Sequence, residues 1–207
     1  MPDIVTYNNS WLAYNNSVLG WEPQPDPYNP LGLPSHTIRC KFEYGHVPSS
    51  GDDITLVDAD ENVWDVYISL DDWGYLFSGQ RILAVLGANT TGVTNMSSMF
   101  SGCGVLTTVP LFDTSSVTGM SEMFRGDMSL TSSIPLFDTS NVTNMSYMYE
   151  ACYNVESGAL ALYNQASTQT NPPLYYTDCF AGCGFNTTTG RDELEQIPAS
   201  WGGLLGA

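Results

Sequence analysis

The sequence predicts an α/β solenoid, built from units of 24–25 residues that each contain a strand, a turn and a short helix. Three observations predict this fold. An eight-residue block that begins at Val93 recurs at Val117 and at Val142. Each copy carries apolar residues at a helical spacing, and the segment between copies carries β-branched residues and turn formers. Because one unit cannot bury its apolar stripe alone, we expect the units to stack.

Residues 1–35 precede the repeats and are predicted to form an extended arm. The arm combines large aromatic residues with five prolines between positions 23 and 34, and it has neither a helical nor a strand period. Aromatic side chains carry a large apolar area with few rotatable bonds, so they are the expected attachment anchors. These anchors are Trp11, Tyr14, Trp21 and Tyr28. The alternative is an arm that folds back on its own domain.

Residues 36–72 are predicted to form a β-hairpin cap over the first repeat, because an open solenoid end needs a cover. Apolar and polar residues alternate from Thr37 to Tyr44, as in a half-buried strand. Two further strand-like runs, 54–57 and 63–67, flank an acidic tip. The tip begins like a calcium loop but lacks the glycine and glutamate that an EF-hand requires, so we interpret it as a solvated hairpin turn.

Residues 73–201 are predicted to hold the repeats, followed by a short tail at 202–207. In the unit that begins at Val93, four apolar residues follow a helical spacing from Met96 to Cys103, behind a possible N-cap at Thr94. The β-branched run 106–109 is the expected strand of that unit. The expected core residues of three units are Met96, Met99, Phe100, Met120, Met123, Phe124, Met145, Met148 and Tyr149.

An asparagine or aspartate recurs once per unit, at Asn89, Asp113 and Asp138. Such side chains bond to their own backbone two residues on, so we expect a ladder of capped turns. A calcium site between stacked carboxylates is the alternative for the same ladder.

The five cysteines are expected to be mostly free, buried thiols, since an odd count argues against a disulfide framework. Cys179 and Cys183 have no companion pair and no nearby histidine set, which argues against zinc. A single disulfide bond between Cys152 and Cys183 is the alternative to five free thiols. Asp127 replaces the cysteine that two other units carry, and it is expected to face water or to distort its unit.

The composition excludes several classes of function. The chain has 22 acidic and 5 basic residues, a formal charge of −17, so a nucleic-acid or anionic membrane surface would repel it. We find no apolar run of membrane-spanning length, no base poised beside a nucleophile and no glycine-rich phosphate loop. We therefore expect no catalytic residue, no cofactor and no metal. A polysaccharide-active enzyme is the third reading, because many acids can supply a carboxylate pair.

The repeats resemble the BspA-like leucine-rich repeats of bacterial surface proteins and of proteins from their phages. The resemblance covers roughly residues 73–201 and depends on two blocks, Phe-Asp-Thr-Ser at 112–115 and 137–140 and Met-x-x-Met-Phe at 96–100 and 120–124. It implies a leucine-rich-repeat-type solenoid on a surface protein that is not an enzyme.

We expect a structural and binding protein, because repeat surfaces serve as platforms for contact. The start at Met1 lacks an export signal, which favours a phage virion protein on the virion surface: a capsid decoration, head fibre or tail-fibre component. The expected partners are other virion proteins or its own copies, as a homo-oligomer or multicopy protein, and a host surface protein or glycan. A bacterial cell-surface adhesin is the alternative.

Overall fold

The computed structural model describes residues 26–46 and 53–206 and combines α and β elements. Its strands are β1 (Thr37–Phe42), β2 (Ile54–Asp60), β3 (Val63–Ile68) and β4 (Ile82–Asn89). Its helices are α1 (Ala159–Thr168) and α2 (Thr188–Leu194), followed by a 3-10 turn at Ala199–Trp201. None of these helices is long and apolar enough to cross a membrane.

The four strands form one antiparallel sheet in the order β2-β3-β1-β4. The inner face carries Ile38, Cys40 and Val66, which are buried, because alternate residues of a strand point to the same face. The predicted hairpin is present as β2 and β3. The sheet also crosses the predicted boundary at residue 72, since β4 lies in the repeat region and pairs with β1.

The secondary structure within the repeats differs from the expectation. Between residues 90 and 158 the structure has turns and single β-bridges but neither the expected α-helix nor the expected strand at 106–109. A helix over 96–103 is blocked by Ser98 and Gly102, whose φ angles are 55° and 73°. The prediction of strand–turn–helix units is therefore wrong, and what the described residues show of the predicted α/β solenoid is a mixed fold with a four-stranded antiparallel sheet, two short helices and a large buried aromatic cluster.

Hydrogen bonds run from unit to unit instead of along a helix. The N–H of Phe100 donates to the carbonyl of Met123 at 2.9 Å, and the N–H of Phe124 donates to that of Met148 at 2.9 Å. Thr94, the predicted N-cap, donates its N–H to the carbonyl of Asp71 at 2.8 Å. Each unit therefore satisfies its backbone through its neighbour, and an isolated unit would leave these groups unpaired.

The core is a column of stacked rings that passes through successive units. Phe77, Phe100, Phe124 and Tyr149 follow one another with ring centroids 5.6, 5.6 and 5.0 Å apart. Phe112 and Phe137 stack beside them at 5.7 Å. The nine core residues expected from the sequence are all 0 % exposed. Aromatic stacking and apolar burial therefore hold the units together.

The C-terminal part closes the far end of the column. The ring of Trp201 stacks on Tyr176 at 4.3 Å, and the N–H of Phe180 donates to the carbonyl of Trp201 at 2.9 Å. The predicted tail turns back over this end, since the N–H of Leu204 donates to the carbonyl of Leu194 at 2.7 Å. Residues 202–206 are thus bonded to the body of the protein.

Candidate functional site

Five turns of related conformation line up along one side of the repeats. These turn segments are residues 72–79, 95–102, 119–126, 144–151 and 175–182. Their first residues form a series of parallel bridges, from Asp72 through Asn95, Gly119 and Asn144 to Tyr175. The local cause is a pair of left-handed residues in every turn, which makes the chain bend twice within eight residues.

The left-handed positions set the direction of the exposed side chains. The first position is held by Tyr75, Ser98, Glu122, Tyr147 and Asp178, with φ between 51° and 60°. The second position is held by glycine in four turns and by Ala151 in the other. Because the same backbone recurs, equivalent side chains form columns across the turns. We call the exposed side of these five segments the turn face.

Asparagine side chains fix one column of the turn face. The Asn95 amide donates to Asp72 Oδ1 at 2.9 Å, while its own Oδ1 accepts the N–H of Ser97 at 3.0 Å. Asn144 Oδ1 accepts the N–H of Ser146 in the same way. At Gly119 the column has no side chain, and a Cβ there would lie 2.7 Å from Asn95 Oδ1. The space beside Gly119 is therefore already filled by the Asn95 side chain and by the Ser97 hydroxyl, whose oxygen would lie 2.9 Å from that Cβ.

A charged and aromatic cluster belongs to the third and fourth turn segments. Arg125 donates to Glu122 at 3.1 Å and contacts Glu150 Oε2 at 2.6 Å. Its guanidinium lies 5.3 Å from the centre of the Tyr147 ring. The hydrogen bond that Arg125 donates to Glu122 is the main reason why the pKa of Arg125 is raised. Glu122, Glu150 and Tyr147 thus surround the guanidinium of Arg125. Because all these side chains are partly solvated, the two ion pairs contribute little to stability.

Large aromatic residues are exposed at both ends of the turn face. Tyr75 is 70 % exposed in the first turn, and Tyr175 is 62 % exposed in the fifth. Exposed aromatic rings among amides and carboxylates can stack on the apolar face of a ligand while neighbouring groups bond to its polar edge. No prediction from the sequence singled out these residues. Their positions within the repeated turns could have identified them, but the sequence analysis predicted helices in place of these turns.

The predicted ladder of Asn89, Asp113 and Asp138 lies at a different corner of the units. Asp113 Oδ1 accepts the N–H of Ser115 at 3.1 Å, and Asp138 Oδ1 accepts that of Ser140 at 2.9 Å. Asn89 Oδ1 accepts the N–H of Thr91 at 3.3 Å. These are capped turns, as the pattern predicts. Within residues 26–46 and 53–206 no group of three potential metal ligands is found.

The residue after each ladder position was missed by the sequence reasoning. Thr90 and Thr114 are buried, and each hydroxyl donates at 2.8 Å to the backbone carbonyl of the next ladder residue. Thr139 is buried as well, and its hydroxyl donates to Gln169 Oε1 at 2.8 Å. Threonine in the Phe-Asp-Thr-Ser block therefore joins one unit to the next.

Replacing Thr114 by valine is expected to lower the free energy of unfolding by about 1–3 kcal/mol, because the carbonyl of Asp138 loses its buried donor at nearly constant volume. Chemical denaturation checks this expectation. Thr118→Val is the matched control: Thr118 is exposed, its hydroxyl donates to the carbonyl of Thr94 at 3.1 Å, and its replacement should cost less than about 0.5 kcal/mol. Equal losses in the two variants would contradict the joining role of Thr114.

Of the four predicted attachment residues, Tyr28 lies within the described part of the chain. Trp11, Tyr14 and Trp21 lie outside the described residues. Tyr28 is exposed, and its N–H donates to Asp26 Oδ1 at 2.9 Å. Leu33 of the same predicted arm is buried, and its N–H donates to Asn29 Oδ1 at 2.8 Å. The last ten residues of the predicted arm thus include a local turn that packs on the domain.

The thiols are buried, and their environment suppresses the thiolate. All five cysteines are free, so the alternative disulfide bond between Cys152 and Cys183 is not formed. Burial raises the pKa of Cys103 to about 12 and raises that of Cys152 well above its ordinary value. Since the thiolate is the nucleophile, these groups are unreactive in the folded chain. His36, one of the two histidines, lies 3.4 Å from Asp71 and edge-on to Trp73.

Asp127 occupies the place that Cys103 and Cys152 hold in the neighbouring units. The expectation that it faces water or distorts its unit is wrong. Its side chain is 0 % exposed, and its N–H donates to the carbonyl of Phe124 at 3.1 Å, as Cys103 does to that of Phe100. Neither carboxylate oxygen has a hydrogen-bond partner among the described residues. Burial raises the pKa of Asp127 to about 8, so the carboxyl is largely neutral at pH 7.

Comparison with known proteins identifies the repeats. A search of curated proteins and a search of solved structures find no match. A family model described as "Mycoplasma protein of unknown function, DUF285" matches residues 74–180, which cover three of the turn segments in full and most of the other two. This family is related to the BspA-like leucine-rich repeats, as the sequence blocks predict. Since the match covers more than half of the 207 residues, the chain belongs to the DUF285 family.

Proposed function

We propose that this chain is a non-enzymatic binding protein whose turn face is the platform for its ligand. The observation that carries the proposal is the repetition of one backbone conformation in five adjacent turns, joined by hydrogen bonds of 2.7–2.9 Å between their backbones. Such a surface holds its side chains at fixed spacings before any ligand arrives. A preorganised surface loses less entropy on binding than a mobile one.

The five turns work as one solenoid-like stack in this proposal. Neighbouring units contact each other through the ladder of bridges and the column of rings. The sheet covers one end and the turn at Trp201 covers the other. This is the arrangement of quasi-one-dimensional repeat proteins, which use an extended face for binding.

A neutral glycan is the ligand class that the chemistry of the turn face favours. Tyr75 and Tyr175 offer exposed aromatic faces, Tyr147 is half-buried beneath Arg125, and Asn95 and Asn144 lie among them with ordered side chains. Carboxylates at Glu122 and Glu150 and a formal charge of −17 would repel a polyanionic glycan. A host surface protein with a basic patch is the second ligand class, because the same carboxylates would attract it.

The absence of catalysis is part of the proposal and has its own support. The candidate nucleophiles are buried thiols whose pKa is raised, and the carboxyl with the most perturbed pKa, Asp127, has no access to solvent. Catalytic groups need contact with a substrate. Release of reducing ends from a soluble polysaccharide by the purified protein would overturn this part of the proposal.

For the setting, we propose the surface of a phage particle, where many copies associate with each other or with other virion proteins. The bacterial cell surface is the alternative. The resemblance of the repeats to a family found both on bacterial surface proteins and on proteins of their phages supports these two settings. Copurification of the chain with intact phage particles supports the first setting, and its recovery with the bacterial envelope alone contradicts it.

Replacing Tyr147 by alanine is expected to weaken glycan binding by at least about fivefold, the loss of about 1 kcal/mol typical of a central contact. Tyr147 is the aromatic residue whose ring centre lies 5.3 Å from the Arg125 guanidinium. A glycan array identifies the ligand, and calorimetry then measures its affinity for the two chains. Tyr44→Ala is the matched control, because Tyr44 is exposed beyond the end of β1. Equal affinities for wild type and Tyr147→Ala would place the binding site elsewhere.

A further inference from the structure

The outer face of the sheet is divided into a covered half and an open half. Its rows follow from the strand register: Thr55, Tyr67, Thr37 and Asn89 form one row, and Val57, Asp65, Arg39 and Gly87 form the next. These residues alternate with the buried residues of the inner face and therefore point away from the core.

The half over β1 and β4 is covered by the chain that leads into β1. A Cβ at Gly87 would lie 2.6 Å from Leu31 Cδ1, so the leucine rests directly on the glycine. The carbonyl of Leu33 accepts a hydrogen bond from the Asn89 amide at 2.9 Å. Thr37 is buried although it lies on the outer face. Residues 31–34 thus already act as a cover for this half.

The half over β2 and β3 has no such cover among the described residues. Val57 is 56 % exposed and Tyr67 is 44 % exposed. Together with Thr37, Asp65 and Pro34 they line a shallow groove whose surface is mostly apolar. Pro34 forms one wall, so the groove begins where the existing cover ends. β2 is also an edge strand, since it pairs only with β3.

We propose that residues 1–25 dock in cis on this groove, over Val57 and Tyr67, and continue the cover that residues 31–34 begin. The two segments are continuous in sequence through residues 26–30, and the covered half and the groove share Pro34 and Thr37. The segment brings Trp11, Leu12 and Trp21, which supply the apolar area that an apolar groove requires. It carries acidic residues and neither lysine nor arginine, while on the outer face of β1 Lys41 is exposed and Arg39 is paired with Asp65 at 2.6 Å.

Docking within one chain is favoured over docking on a second copy. A chain of 25 residues is long enough to reach across the sheet, because neighbouring strands lie only about 4.8 Å apart. A short tether holds the segment at an effective concentration of about millimolar, which exceeds the concentration of other copies in dilute solution. The predicted role of the arm as an attachment device requires the opposite outcome, in which the segment docks on a neighbour.

Photo-crosslinking of the full chain distinguishes these outcomes. The variant Tyr67→p-benzoylphenylalanine carries the crosslinker in the groove, and Tyr75→p-benzoylphenylalanine is the matched control on the turn face. Each variant is irradiated as a dilute mixture of ¹⁵N-labelled and unlabelled chains, and crosslinked peptides are identified by mass spectrometry. We expect the crosslinker at position 67 to react with residues 1–25 that carry the same isotope label, as a link within one chain requires. The crosslinker at position 75 should give no product with residues 1–25.

A second substitution tests whether the groove itself holds the segment. Val57→Lys, combined with the crosslinker at position 67, should reduce the product with residues 1–25 at least about tenfold, because an ammonium group in an apolar contact site is costly. Leu136→Lys is the control at a similarly exposed leucine of the repeats and should leave the yield unchanged. Mixed-isotope products would show docking on a second copy, and no product with residues 1–25 would show that the groove takes another occupant. Either result overturns the proposal.

Discussion

Phe124→Ala is expected to lower the free energy of unfolding by about 3–5 kcal/mol, the range for deleting a fully buried aromatic side chain. Phe124 is 0 % exposed, and its ring lies between Phe100 at 5.6 Å and Tyr149 at 5.0 Å. The substitution removes apolar burial and leaves a cavity. It also interrupts two stacked contacts at the middle of the column, where no cap can compensate.

Urea denaturation followed by tryptophan fluorescence measures the loss. Leu136→Ala is the matched control: Leu136 is 52 % exposed, belongs to the same repeat region and should cost less than about 0.5 kcal/mol. A loss below about 1 kcal/mol for Phe124→Ala would show that the column does not hold the units together.

The burial of residues such as Met99 and Phe100 follows from the sequence, whereas their backbone conformation does not. Residues three and four apart fall on one side of the chain in a helix, and in this fold they also fall on one side of a turn. The apolar spacing is therefore compatible with both conformations. The spacing therefore identifies which residues are buried, but it does not distinguish a helical backbone from these turns.

The left-handed turns were not predictable because their residues carry no single signature. Glycine at the second position, as in Gly102 and Gly126, is a recognisable signal for positive φ. Glu122 and Tyr147 at the first position are not, since bulky residues rarely adopt positive φ. Both residues adopt positive φ because of a hydrogen bond to the next unit. The backbone N–H of Glu122 and that of Tyr147 each donate to a backbone carbonyl of that unit at 2.9 Å. Contacts between units thus override the local preference.

The turn face and the groove could not be predicted from the sequence, for related reasons. Arg125, Glu122 and Glu150 come together only because neighbouring turns align, and the sequence separates Arg125 and Glu150 by one unit. The groove over Val57 and Tyr67 requires β1 and β3 to pair with a known register. In contrast, the capped turns at Asp113 and Asp138 depend on bonds to a residue two positions away, which a local pattern can predict.

The buried carboxyl of Asp127 is expected to make the stability of the protein fall as the pH rises. Its pKa in the folded chain is about 8, against an ordinary value of 3.8, because burial disfavours the charged form. Below about pH 4 the carboxyl is protonated in both the folded and the unfolded chain, so it carries no pH-dependent cost. Between pH 4 and pH 8 the unfolded chain has lost this proton while the folded chain keeps it, so folding takes up a proton.

The free energy of unfolding should therefore decrease with a slope of about 1.4 kcal/mol per pH unit from this group, which amounts to roughly 4 kcal/mol at pH 7. Asp127→Cys removes this slope and restores the side chain that the neighbouring units carry. The sulfur can then donate to a backbone carbonyl, as Cys103 does to Phe77 at 3.0 Å and Cys152 does to Phe124 at 2.9 Å. We expect the variant to exceed the wild type in stability at pH 7 and to lose this advantage as the pH falls toward 4.

Urea denaturation of both chains at several pH values between 4 and 8 measures the difference in stability, which cancels the contributions of all other titrating groups. Asp113→Asn is the control, because Asp113 is a capped-turn residue that accepts its hydrogen bonds near the surface. Its difference from the wild type should not follow the same slope. A pH-independent difference between Asp127→Cys and the wild type would show that Asp127 is charged in the folded chain. In that case the carboxylate must be solvated or paired, and the column of Cys103, Asp127 and Cys152 must open at its central unit.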